Sequence, residues 1–244
     1  MKRVWFAFAI GLGLAGSVPA QDRVAAARTR VDSEVKRLAR AANLPYPIPR
    51  LFFRAFKEER TLEIWGSNGR DPYRRVVAYR VAGQSGVLGP KRKEGDKQVP
   101  EGFYTVDRLN PRSRFLLSIG INYPNASDRL RSDRARPGGD IFIHGDDVSI
   151  GCLAMTDPVI EVIYVMTHDT WHAGGRRIPV HIFPNRMTDA NWARLQRDYR
   201  SRPELIAFWR ELRPGFLAFE STRRVPTVSV GRGGAYRVRG AASG

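Results

Sequence analysis

A mainly β central domain with helices at both ends is the architecture that this 244-residue chain predicts, and three observations predict it. Short runs of β-branched and aromatic residues recur between about residues 50 and 185, each bounded by Pro, Gly, Asn or Asp. Two helix-forming stretches, 22–42 and 188–212, bracket that region. The length left after an N-terminal leader suits one well-packed domain with helical additions.

The leader is read from MKRVWFAFAIGLGLAGSVPA, where Lys2 and Arg3 precede an apolar run from Val4 to about Gly16. Val18 and Ala20 occupy the positions a signal peptidase reads, so residues 1–20 are expected to be a signal peptide cut after Ala20. The run is shorter than the roughly 20 residues needed to span a bilayer. No later segment is apolar enough to cross one, so no membrane span is expected once the leader is removed. The expected location is the periplasm or cell envelope.

Residues 22–42 are rich in helix formers, and Val24, Val31, Val35 and Leu38 give a partial apolar stripe. Pro45, Pro47 and Pro49 break the pattern. LFFRAFKEERTLEIWGSNG then reads as two strands joined by a polar turn at Lys57 to Arg60. Further strands are expected at Arg75–Val81, Gly102–Arg108, Phe115–Asn122 and Asp140–His144. Asp157 followed by Pro158 predicts a helix start with Asp157 as N-cap, and the helix should reach about His172 before Gly174 and Gly175. RIPVHIF, 177–183, predicts a last strand, and 188–212 a helix broken at Pro203. The divisions are therefore a signal peptide at 1–20, an N-terminal helical segment at 21–49, the central domain at 50–185 and a C-terminal helical segment at 186–221. The Arg-, Gly- and Ser-rich remainder, 222–244, reads as a disordered basic tail.

The formal charge of +17 is far from balanced, and cleavage of the leader removes only Lys2 and Arg3 from it. Such an excess favours anionic partners, which outside the cytoplasm include carboxylate-rich cell-wall peptides. A solvated arginine-rich surface accounts for the same excess. No helix-turn-helix, zinc-finger spacing or RNP-like aromatic string is present, so no nucleic-acid partner is expected.

The chain has one cysteine, in IHGDDVSIGCLAMTD, 143–157. An exported protein that used thiols for stability would carry them in pairs. Cys152 is therefore a buried inert thiol, a group bound to another chain or a metal, or a reactive nucleophile. The nucleophile reading needs a base, and His144 stands at the end of the apolar run DIFIH, eight positions upstream. The loop between them can fold back to bring the two side chains together. Gly151 permits close backbone approach, and amides of the Gly151–Cys152 turn can serve a developing oxyanion. The Gly145 carbonyl, or a carboxylate of Asp146 or Asp147, can orient the second imidazole nitrogen. Pairing with His144 is expected to lower the thiol pKa. Ser149 can donate to the thiolate or support the loop.

The sequence HG followed by S-x-G-C resembles the signature of YkuD-type L,D-transpeptidase catalytic domains, and its short spacing resembles their YafK-like branch. KEGDKQVPEGFY, 93–104, and INYPNASD, 121–128, resemble that branch as well. The likeness spans roughly residues 50–185. It implies a β-sandwich or barrel core and a cofactor-free acyl transfer. Cys152 would attack a carbonyl of a peptidoglycan stem peptide to give a thioester, with His144 as general base and acid. An amine then joins, or water cuts, so a hydrolase acting on the same bond is the alternative, including one that frees a wall-attached protein. A non-catalytic wall-binding protein is a further alternative. Ile150 stands where most members have a second histidine, and Ala154 near where many carry an arginine, which puts the usual substrate-carboxylate contact in doubt.

Tyr123 and Asn125 are candidates to line the substrate cleft. His168 and His172 share the face of one helical turn at a spacing that zinc sites use, but the intervening Asp-Thr-Trp lacks the glutamate of HExxH. Imidazoles in a last turn also suit the helix dipole, so these are read as structural and no metal is expected.

Overall fold

The structure, a computed structural model, describes residues 20–239, so the leader expected at 1–20 lies almost wholly outside the described residues. Helix α1, Ala20–Ala41, buries Ala27, Val31, Val35, Leu38 and Ala39 along the expected stripe. Strands β1, Arg50–Phe56, and β2, Thr61–Ser67, form the expected hairpin, with Phe53 opposite Ile64. Strand β3, Arg74–Arg80, adds to β2. Next come β4, Gly102–Asn110; β5, Ser118–Ile121; the short helix α2, Ala126–Arg131; β6, Phe142–His144; and β7, Leu153–Ala154. Helix α3, Asp157–His172, leads to β8, Pro179–Phe183.

Eight strands make one sheet in the order β3-β2-β1-β8-β4-β5-β6-β7. The sheet curls until its two edges meet: Ala154 of β7 donates to and accepts from Gly83, just beyond β3, at 3.0 and 3.2 Å. That seam brings the mainly β core close to a closed barrel. The central strands are buried on both faces, so β1 is apolar almost throughout rather than alternating. Leu51, Phe53 and Ala55 face the cluster shared with α1 and α3. On the other face, Phe56 joins Phe103 and Phe183 under the C-terminal helices.

Those helices are α4, Asp189–Asp198, and α5, Pro203–Thr222. The break falls at Pro203 as expected, but α5 continues past residue 212 and carries Pro214 within it. The expectation of a disordered tail is overturned for residues 227–239. Strands β9, Thr227–Val230, and β10, Tyr236–Arg239, form an antiparallel hairpin. Tyr236 is buried against Phe103 and Phe208, and its backbone N–H donates to Glu211 of α5 at 2.9 Å. Ser127 of α2 donates to the Gly234 carbonyl at 2.6 Å. The alternation in YRVR places Tyr236 and Val238 inward, which a reading of composition alone overlooks.

Candidate active site

The site is built where β6 and β7 run parallel, a pairing that puts Ile143 beside Leu153 and His144 beside Ala154. This register sets Cys152 level with Phe142. Side chains two positions apart on a strand share a face, so Cys152, level with Phe142, and His144 point to the same side, two pair positions apart. Both line an open cavity of about 670 Å³.

The Cys152 Sγ accepts from the Phe142 amide at 3.4 Å and donates to the Asp140 carbonyl at 3.7 Å. Among the described residues no direct hydrogen bond joins Cys152 to His144. Burial pushes the thiol pKa up, outweighing the opposing pull of the Phe142 amide. Burial likewise pushes His144 below the ordinary histidine value. The resting pair is therefore a neutral thiol and a neutral imidazole. This corrects the expectation of a lowered thiol pKa, and the physical reason is that both groups are desolvated with no hydrogen bond between them among the described residues.

His144 is held on two sides. Its Nδ1 lies 2.5 Å from the Gly145 carbonyl, and its ring stacks on Phe115 with centroids 4.5 Å apart. A carbonyl can only accept, so Nδ1 carries the proton and Nε2 keeps its lone pair. Of the orienting groups open to choice in the sequence, the Gly145 carbonyl is the one hydrogen-bonded to the ring, while Asp146 and Asp147 are exposed and form no hydrogen bond to it among the described residues. A side chain at position 145 would collide with Asp157 Oδ1 at 2.4 Å and the Phe115 carbonyl at 2.7 Å.

Asp157 is not the N-cap. The cap position is Thr156, at φ 70° and without a side-chain cap bond, and Asp157 accepts from the Asp146 amide at 2.8 Å. It ties the loop after His144 to the start of α3.

Ser149 supports the loop. Its Oγ accepts from the Cys152 amide at 2.8 Å and the Gly151 amide at 3.2 Å, and donates to the Cys152 carbonyl at 2.7 Å. Both amides assigned to an oxyanion are thus engaged, and Ser149 does not reach the sulfur. Gly151 has φ 134°, which requires glycine. Ile150 is 80 % exposed at the cavity rim.

Tyr123 and Asn125 do not line the cavity, which corrects their assignment to the cleft. Tyr123 is buried and its hydroxyl donates to the Pro137 carbonyl at 2.9 Å. Asn125 caps α2, accepts from Ser127 and Asp128 amides, and donates to Tyr236. Their motif builds the scaffold behind the site. His168 and His172 pack with ring centroids 4.0 Å apart, and His172 Nδ1 meets the His168 carbonyl at 2.8 Å. Among the described residues no three His, Cys, Asp or Glu side chains gather as a metal site would require.

Sequence reasoning missed Phe115, Lys91, Lys97, Arg112 and Arg114 as cavity residues. Lys97 falls inside KEGDKQVPEGFY, so that stretch marked one wall; the two arginines follow the Asn110-Pro111 turn and carry no motif. The wall itself hangs on a buried ion pair. Lys57 Nζ donates to the Gly89 and Val99 carbonyls at 2.7 and 2.9 Å and lies 3.1 Å from Glu101, which also accepts from Trp209 of α5 at 2.6 Å.

With this geometry in view, residues 56–182 match the family of YkuD L,D-transpeptidase catalytic domains. The "Putative L,D-transpeptidase YafK" of Escherichia coli (strain K12) is 42% identical over 185 residues, 75% of this chain and 72% of that protein. Among solved structures, the helical cell shape determining protein Pgp2 from Campylobacter jejuni is 15% identical at a TM-score of 0.44, covering 82% of this chain and 80% of that one. Bd1075 from Bdellovibrio bacteriovorus is 21% identical at 0.40, covering 66% and 58%. At those scores the structural likeness is loose.

Proposed function

The chain belongs to the YkuD family of L,D-transpeptidase catalytic domains, and we propose that it is an exported cysteine acyl-transfer enzyme acting on peptidoglycan stem peptides. The observation that carries the reading is the placement of Cys152 immediately before β7 and His144 at the end of the parallel β6, facing one open cavity, with no hydrogen bond to Nε2 of His144 among the described residues.

The steps follow from those atoms. A small rotation brings the thiol from the Asp140 carbonyl toward Nε2, which takes its proton as Sγ bonds to the substrate carbonyl carbon. The tetrahedral intermediate collapses, the amine leaves with the proton returned by His144, and a thioester remains on Cys152. An incoming amine or water then gives a proton to Nε2 and attacks the thioester, and Cys152 departs and is reprotonated. The oxyanion needs donors during both steps, and the Gly151 and Cys152 amides become available to it only as the Ser149 hydroxyl gives way. Neutral starting groups suit this order, since the proton moves as the substrate arrives.

The location outside the cytoplasm rests on the leader sequence, and an excess of basic side chains suits carboxylate-bearing stem peptides. The test is incubation of the purified chain with defined muropeptides, read by mass spectrometry. Joined, trimmed or released stems that vanish with Cys152→Ser support the reading. Products undiminished in Cys152→Ser would remove it.

A further inference from the structure

We propose that Lys97, Arg112 and Arg114 form a carboxylate-binding site beside Cys152, reading a carboxylate of the peptide whose carbonyl the thiol attacks. The proposal rests on the stem-peptide reading above and names what recognises that substrate.

The cavity around Cys152 and His144 is lined by four other cations, Lys91, Lys97, Arg112 and Arg114, and by two carboxylates, Glu94 and Asp140. Lys91 is buried and already engaged, with Nζ 2.6 Å from Asp96 and 2.9 Å from the Lys93 carbonyl. Glu94 pairs with Arg136 at 2.8 Å, and Asp140 pairs with Arg108 at 2.8 Å. Both carboxylates thus have partners within the protein. Lys97, Arg112 and Arg114 have none among the described residues. All three are exposed on the cavity wall, where they can pair with a carboxylate carried by a ligand.

The three cations come from two walls. Lys97 lies on the segment before β4, and Arg112 and Arg114 lie on the turn between β4 and β5. That turn is braced: the Arg112 amide donates to Asn110 Oδ1 at 2.9 Å, and the Phe115 amide to Ser113 Oγ at 3.1 Å. Phe115 in turn stacks on His144. A carboxylate held by the turn is therefore registered against the catalytic imidazole through one residue. Guanidinium groups suit a carboxylate because two parallel N–H donors match its two oxygens. Asn110 and Arg112 also border a second groove of about 920 Å³ beside α1 and α3, so a peptide anchored here has room to continue.

The test separates binding from chemistry. Cys152→Ala protein is titrated with a defined stem peptide bearing free carboxylates and with the same peptide as its carboxamide. The free acid is expected to bind about tenfold or more tightly. That preference should disappear in a variant that adds Lys97→Gln, Arg112→Gln and Arg114→Gln, and persist with Arg134→Gln, which removes an exposed charge outside the cavity. Equal binding of acid and amide, or a preference untouched by the triple substitution, would overturn the site. Displacement of the acid by inorganic phosphate at equal concentration would also overturn it, in favour of unselective anion binding. Failure of the unmodified chain to process muropeptides would instead strike the proposed reaction and leave the binding difference standing.

Discussion

The Cys152 sulfur sits between a backbone donor, the Phe142 amide, and a backbone acceptor, the Asp140 carbonyl. That environment holds a neutral thiol, and with the pKa raised by burial it gives a definite pH dependence. Alkylation by iodoacetamide follows the thiolate, so near neutrality the rate should be slower than for an ordinary free thiol. It should climb about tenfold per pH unit and level off only above the usual thiol range. Fast labelling that is flat down to pH 6 would mean a standing thiolate–imidazolium pair and contradict the resting geometry. His144→Ala should leave the labelling profile nearly unchanged, since no bond joins the two groups, while lowering turnover by about 10²–10⁴. At this scale the sequence was informative about which groups come together and poor on their state. Cys152, His144 and the Gly145 carbonyl were legible from a lone thiol, a strand-end histidine and a following glycine. The occupied amides and the raised thiol pKa were not, because both depend on how far the loop through Ser149 folds and on what it buries.

Strand β7 is only Leu153–Ala154, yet it places Cys152 and closes the curled sheet against Gly83. The seam is tight: a Cβ on Gly83 would lie 1.9 Å from the Asp147 carbonyl oxygen. Gly83→Ala should therefore push the His144–Cys152 loop outward and cost about 1–3 kcal/mol. A lowered melting temperature together with faster thiol labelling would show it. An unchanged melt and unchanged labelling would mean that the seam does not hold the loop. Elements of seven residues or more, such as α1, β1, β2 and α3, were readable because periodicity and prolines mark them. A two-residue strand has no periodicity to read, and neither does the six-residue α2, whose start is fixed by the Asn125–Asp128 capping box and by contact with the distant Gly234. Asn125 was picked out by its motif and given the wrong task, because a family motif marks scaffold as readily as cleft.

The C-terminal part of the chain reaches the site without lining it. Trp209 of α5 donates to Glu101, the partner of Lys57, and Lys57 fastens the two ends of the segment that carries Lys91 and Lys97. The terminal hairpin braces the same side through Tyr236, Ser127 and Glu211. Truncation after residue 224 should remove these three hydrogen bonds, about 3 kcal/mol at a typical net worth of ~1 kcal/mol each. For a domain of this size that is a fall of roughly 6–12 °C in Tm. A melt unaffected by the truncation would return the hairpin to the status of a dispensable tail. Arginine and glycine composition hid this hairpin, because its two inward residues on β10 contribute little to an average.

The most direct measurement of the central claim is trapping of the acyl-enzyme. The purified chain is mixed with a defined stem peptide, quenched in acid within its first turnovers, and weighed intact before peptide mapping. The account predicts an added mass equal to the donor stem less its departing amine, mapped to Cys152 and absent from Cys152→Ala. Muropeptide turnover with no adduct on Cys152, persisting in Cys152→Ala, would contradict it.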